Sequence, residues 1–166
     1  MLTVLIEAGD DAEALARTLA SLVGGAVEGV VREVTVFTRG ASAEAVRVAD
    51  HAGCVLREGE LDVAIRHARG DWLLLLELGA RLSEGWTDAV RAHVDGAGGP
   101  ARFSPASAGR SPFLSRLLRK RRPLQHGLLI GKKQALAQPA SGGLASLARG
   151  LRTTRLDAGI HPARPK

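Results

Sequence analysis

Five apolar residues in a row, Trp72-Leu73-Leu74-Leu75-Leu76, stand between Asp71 and Glu77. A run this short, with no polar alternation and a glycine just before its start, fits a β-strand covered on both faces. Such a strand needs helices above and below it and other strands at its sides. Thr3-Val4-Leu5-Ile6 has the same character near the start of the chain, and Val34-Thr35-Val36-Phe37 and Cys54-Val55-Leu56 follow it. Between them lie stretches with helical spacing. Leu15, Leu19 and Leu22 recur at i, i+4 and i+7 before Gly24-Gly25, and Ala45, Val46, Ala49 and Ala52 follow a capping Ser42 and end at Gly53. A brief helix is expected over Asp62 to Arg69, closed by Gly70, and a longer one over Glu84 to Val94. Strands alternating with helices imply βαβ units and an α/β fold with a mostly parallel, twisted sheet. Ligands bind such sheets at the carboxyl ends of the strands, which directs attention to the loops after Ile6, Phe37 and Leu76.

The second half is less regular. Ala101 to Ser104 and Gly127 to Ile130 read as strands, Ser111 to Arg122 as a helix, and Lys133–Ala137 and Leu144–Leu151 as short helices. A single domain over residues 1–160 is expected, followed by a tail over 161–166. Residues 1–83 carry 8 Lys/Arg against 13 Asp/Glu, whereas residues 84–166 carry 15 against 4, so the overall +6 is concentrated in the second half. That half can attract phosphates, anionic lipid or nucleic acid. In the Ser111–Arg122 helix, Phe113, Leu114, Leu117 and Leu118 share one face and the cations lie elsewhere. Such a helix suits an anionic membrane surface, or simply packs on the sheet. Aromatic residues amount to 3% with no tyrosine, which disfavours nucleic acid bound by base stacking.

Other chemistries find little support. The lone Cys54 cannot form an internal disulfide and reads as a core thiol. His51, His67, His93, His126 and His161 show no ligand spacing, and there is no Gly-x-Ser-x-Gly for a serine nucleophile. The opening residues lack a basic stretch before Glu7, and the Trp72–Leu76 run is far too short for a bilayer. A cytoplasmic location, peripheral to the inner membrane if the basic helix binds lipid, is the expectation.

The order of these elements resembles family 2 glycosyltransferases. Thr3 to Leu22 is similar to that family's opening strand and helix, with Glu7-Ala8-Gly9-Asp10 where the family has Pro-Thr-Tyr-Asn. Glu33 to Gly40 resembles its second strand and Asp-Asp-Gly-Ser nucleotide loop. Ala64 to Leu76 resembles the approach to its Asp-x-Asp motif, and Arg81 to Trp86 resembles the segment just after that motif. Gly127–Lys133 and Gly142-Gly143 resemble a later strand and Gly-Gly turn. The resemblance implies a GT-A fold, Rossmann-like, with residues 1–95 as the nucleotide-binding half and 96–160 as a basic acceptor-side half. It also implies a nucleotide sugar, UDP- or GDP-linked, whose diphosphate is neutralised by a divalent metal, Mg or Mn.

The departures concern the acids. Glu77-Leu78-Gly79 stands in place of Asp-x-Asp, so Glu77 is the one metal-ligand candidate and Gly79 offers no side chain. Thr38 and Arg39 replace both aspartates of the nucleotide loop. Arg39 either meets a phosphate directly or is a surface cation, and Gly40 is either a phosphate-loop or an ordinary turn glycine. Where the family has its base, Leu144-Ala145-Ser146 has no carboxylate, so no catalytic residue is assigned. Asp10 and Asp62 stand where the family has Asn; each is a ligand contact or a helix cap. Glu7, at the end of a strand with no capping role, completes the binding candidates. Three functions are compatible with these residues: a transferase with an altered or metal-independent site, an inactive binding or regulatory partner in polysaccharide or envelope biosynthesis, or a basic α/β protein for anionic lipid or nucleic acid.

Overall fold

The computed structural model describes residues 1–96, 98–106, 122–138 and 143–164. The apolar runs become four parallel neighbours: β1 (Leu2–Glu7), β2 (Val31–Thr38), β3 (Val55–Glu58) and β4 (Trp72–Leu76). β1 lies between β2 and β4, pairing Val4 with Val34 on one side and with Leu74 on the other. Four more strands extend the sheet: β5 (Arg81–Leu82), β6 (Ala101–Pro105), β7 (Leu128–Gly131) and β8 (Thr154–His161). The order among the described residues is β3-β2-β1-β4-β7-β6-β8-β5. β7 runs antiparallel to both β4 and β6, whereas β8 is parallel to β6. β4 therefore sits in the middle of the sheet, as its unbroken apolar run requires.

Alternate residues of β1 and β4 divide between two cores. Val4, Ile6, Leu74 and Leu76 join Leu15 and Leu19 of α1 (Ala12–Ala20), Ala45 and Ala49 of α3 (Ala43–His51), and Trp86 and Val90 of α5 (Trp86–Asp95). Leu5, Leu73 and Leu75 face the other way. They meet Leu61 and Ile65 of α4 (Leu61–His67), Ala135 of α6 (Lys132–Leu136), and Leu144 and Leu147 of α7 (Gly143–Leu147). Helices thus cover both faces, and each fully buried leucine contributes about 2 kcal/mol of hydrophobic stabilisation.

Local details differ from the sequence-based expectations where glycine and capping are concerned. Gly24 and Gly25 do not stop a helix but lie in α2 (Val23–Val27). A Cβ on Gly25 would stand 2.4 Å from the Trp86 ring, so that glycine is there for close packing. The cap of α1 is Asp11, whose Oδ1 accepts from Ala14 N at 2.8 Å, and not Asp10. The residue preceding α4 is Glu60, leaving Asp62 inside its first turn. β8 occupies residues given no element, and His161 belongs to it, so the expected tail boundary at 161 falls within a strand. The Ser111–Arg122 helix lies outside the described residues except for Arg122, and Gly142 of the Gly-Gly turn lies outside them too. No described helix is long and apolar enough to cross a membrane. Cys54 is half-buried, and burial pushes its thiol up to about 11, consistent with an unreactive packing role.

Ser42 caps α3 as the spacing predicts, its Oγ accepting from Ala45 N at 3.2 Å. Ser42→Ala is expected to cost about 1 kcal/mol, read as a lower urea midpoint with an unchanged m-value.

Candidate functional site

The carboxyl ends of β1 and β4 open onto two hollows. The larger, about 880 Å³, is bounded by the first turn of α1, by Glu77 to Gly79 after β4, and by Pro162 to Arg164 after β8. The smaller, about 560 Å³, lies between Glu7 to Gly9, the end of β4, the turn at Arg122 to Leu124, and Leu144 and Ala145 of α7. Gly9, Glu77, Leu78 and Arg122 line both. The two hollows are therefore one cleft, with Glu77 and Arg122 at the dividing wall.

Glu77 reaches this position because β4 ends at Leu76 and the chain turns at once. Gly79 adopts φ +91° there, Ala80 N donates to the Glu77 carbonyl at 3.0 Å, and Gly79 N donates to Thr18 Oγ1 at 2.8 Å. Arg122 Nη1 donates to Glu77 Oε1 at 3.1 Å. Glu77 Oε2 is buried without a partner among the described residues.

Arg122 is in turn held by its neighbours. Leu124 is buried at 4% exposure, and Gln125 N donates back to the Arg122 carbonyl at 3.2 Å. Arg102 of β6 donates to the Pro123 carbonyl and, at 2.5 Å, to the Ala148 carbonyl, tying the turn to the residue that follows α7. Burial lowers the Arg102 guanidinium from its ordinary range, as expected for a cation satisfied by carbonyls rather than by water. Nearby His126 is shifted down as well, first by burial and then by the charges of Arg102 and Arg155, which favours its neutral form.

The other candidates divide into two groups. Glu7, Thr38, Arg39 and Gly40 come together where β1 and β2 end side by side. Arg39 Nη2 donates to Glu7 Oε1 at 3.2 Å, and Gly40 N donates to Thr38 Oγ1 at 2.9 Å. Gly40 has φ +147°, a backbone that side-chain-bearing residues avoid. Arg39 thus meets a carboxylate, and Thr38 closes its own turn. Asp10 lines the larger hollow. Asp62 is placed apart: its carboxylate accepts from Val63 N at 2.8 Å and from Arg66 at 2.6 Å, and it lines neither hollow.

Arg122 has no distinguishing mark in the sequence beyond ending a basic run. Its pairing with Glu77 spans 45 residues, so no local spacing announces it. Arg17, Arg81 and Arg164 also line the larger hollow and carry no motif.

A sheet of this order, with helices on both faces and a cleft where β1 and β4 end, defines a GT-A glycosyltransferase fold. Glucosyl-3-phosphoglycerate synthase from Mycobacterium tuberculosis, in complex with Mn2+, UDP and glucosyl-3-phosphoglycerate, superposes with a TM-score of 0.66 at 13% identity. That match covers 100% of this chain and 73% of the synthase. Mannosyltransferase PcManGT from Pyrobaculum calidifontis, in complex with GDP-Man and Mn2+, gives 0.66 at 17% identity, covering 99% of this chain and 57% of that one. S. aureus TarS 1-349 gives 0.64 at 14% identity over 89% of this chain, which spans about half (52%) of the TarS length. At such identities the likeness is one of fold. No protein-family model and no curated protein matches the chain.

The divalent metal implied by the resemblance can be tested against the donor set. A hard cation of this kind takes six or more oxygen ligands, usually including more than one carboxylate or a share of substrate phosphate. Here Glu77 provides one carboxylate already bonded to a guanidinium, Gly79 provides none, and Thr38 Oγ1 is engaged by Gly40 N. Among the described residues no group of three or more His, Cys, Asp or Glu could hold a metal. The residues do not fit a metal cage at Glu77.

Proposed function

We propose that the cleft at the ends of β1 and β4 binds a nucleoside diphosphate sugar, UDP- or GDP-linked, in a GT-A domain with reduced transfer machinery. The observation that carries this reading is the placement of Glu77: the central strand delivers it to the wall between two hollows at the carboxyl edge of the sheet. The larger hollow is of the size that small-molecule sites occupy, and four arginines line it. The UDP and GDP-Man complexes of the proteins that share the fold support the same ligand class. Thermal denaturation in the presence of millimolar UDP- and GDP-sugars is the test. A ligand at 100 times its Kd adds about 2.7 kcal/mol, so the matching sugar nucleotide should raise the melting temperature by about 5 °C or more. A flat response across the panel would remove this reading.

One observation favours binding over transfer. Leu144 and Ala145 present no acid to the smaller hollow, and apart from Glu77 its only described carboxylate is Glu7, already paired with Arg39. An acceptor hydroxyl there meets no free base. The domain then acts as a partner of another enzyme in polysaccharide or envelope biosynthesis. Robust sugar transfer by the isolated protein would count against it.

A further inference from the structure

The place where a cation is needed for a diphosphate already holds one. We propose that the Arg122 guanidinium, positioned by Glu77, takes the diphosphate oxygens directly, so that nucleotide binding in this cleft needs no divalent metal. The inference rests on the nucleotide-sugar reading and specifies how that site is built.

Three features support it. The first is geometric: Arg122 lines both hollows and is fixed at the dividing wall by a 3.1 Å bond from one nitrogen to Glu77 Oε1. A guanidinium carries five N–H donors in a planar fork, and the side chain is 36% exposed, so donors remain for a ligand in the cleft. Phosphate oxygens match that fork in a bidentate manner.

The second is preorganisation. The Arg122–Gln125 turn is closed by its own backbone bond, anchored by the buried Leu124, and tied by Arg102 to Ala148, just after α7. A cation already ordered in the free protein loses little side-chain entropy when its anion arrives. Glu77, in this arrangement, is a positioning residue; its carboxylate orients the guanidinium as a pair of aspartates would orient a metal.

The third is charge. Arg122 offsets Glu77, which alone would repel a diphosphate, and Arg81 and Arg164 add positive charge to the larger hollow. The same lining carries Asp10, Asp11 and Glu13, with Asp11 capping α1 and Glu13 paired with Arg17, so its four arginines balance its four acids. A metal at Glu77 would find a single carboxylate, already bonded through Oε1 to Arg122.

The experiment is calorimetric titration of the full chain with UDP and with GDP, in EDTA and in Mn2+, for wild type, Arg122→Ala and Arg122→Lys. Hydrogen bonds to charged groups predict that Arg122→Ala weakens metal-free binding by about 10- to 100-fold. Arg122→Lys, a point charge without the fork, should fall between. Melting temperatures without ligand report whether each variant folds; if the alanine variant does not, the lysine variant carries the comparison. Wild-type binding that appears only with Mn2+ would overturn the inference while leaving the nucleotide-sugar reading intact. So would an Arg122→Ala protein that binds as tightly as wild type in EDTA. Absence of nucleotide binding in both buffers would remove both.

Discussion

Leu74→Ala is expected to lower the unfolding free energy by about 3–5 kcal/mol and the melting temperature by about 10 °C. Leu74 is 0% exposed in the middle of β4, between Val4 of β1 and Leu129 of β7, which are themselves fully buried. Truncation removes the transfer energy of the lost methyl groups and leaves a cavity. The strand carrying it is hydrogen-bonded on both sides, so the walls cannot close in cheaply. Leu136, half-exposed on α6, provides the contrast: its alanine variant should stay within about 0.5 kcal/mol of wild type. Urea unfolding of the two proteins checks the pair. A loss below about 1 kcal/mol for Leu74→Ala would be incompatible with a central strand buried on both faces.

The Trp72–Leu76 run was legible because its information is local: five apolar residues without alternation can satisfy their backbone and side chains together only inside a covered sheet. The same holds for β1, β2 and the Ser42 cap. β8 carried a signal of the opposite kind, with Leu156, Ala158 and Ile160 buried in alternation. Ala158 stands between Asp157 and Gly159, and small residues make the period faint. β5, two residues long, exists only because β8 is beside it, pairing Arg81 with His161. Its cause is tertiary and leaves no trace in its own sequence.

The candidate site was legible in outline and not in detail. The strand-end rule placed Glu7, Thr38, Arg39, Gly40 and Glu77 on the correct edge of the sheet, because parallel strands all deliver their loops to that edge. What a carboxylate does there depends on its partner. Glu7 meets Arg39 across 32 residues, and Glu77 meets Arg122 across 45. Both ion pairs join distant loops, and a sequence scanned for local spacing cannot distinguish a paired acid from a ligand. Asp62 shows the converse: its two bonds are to the next residue and to Arg66, one helical turn on. An Asp with Arg four residues later on a helix is a local pattern, and it draws the carboxylate away from the cleft.

Gly70→Ala is expected to destabilise by about 3 kcal/mol, opposite in sign to the usual effect of that substitution. Replacing glycine by alanine normally stabilises by about 0.4–1 kcal/mol, because the unfolded chain has less freedom to lose. At Gly70 the new methyl would stand 2.6 Å from Thr3 N, 2.7 Å from the Met1 carbonyl oxygen and 2.9 Å from Leu2 C. These are backbone atoms of β1 and its approach, so no side chain can rotate aside. Moving Gly70 outward has its own cost. Its N–H donates to Thr3 Oγ1 at 2.8 Å, Thr3 Oγ1 donates to Glu33 Oε1 at 3.0 Å, and Arg69 N donates to that same oxygen at 2.6 Å. Trp72 follows two residues later, already in register with Leu2, so a shift at Gly70 passes directly into the start of β4. Gly24→Ala is the control, since a Cβ there meets nothing within 4 Å and α2 gains helix propensity. Chemical denaturation should therefore order the three proteins as Gly24→Ala above wild type and Gly70→Ala well below. A Gly70→Ala protein as stable as wild type would mean that β1 and the entry to β4 are not in the close contact on which the geometry of the cleft depends.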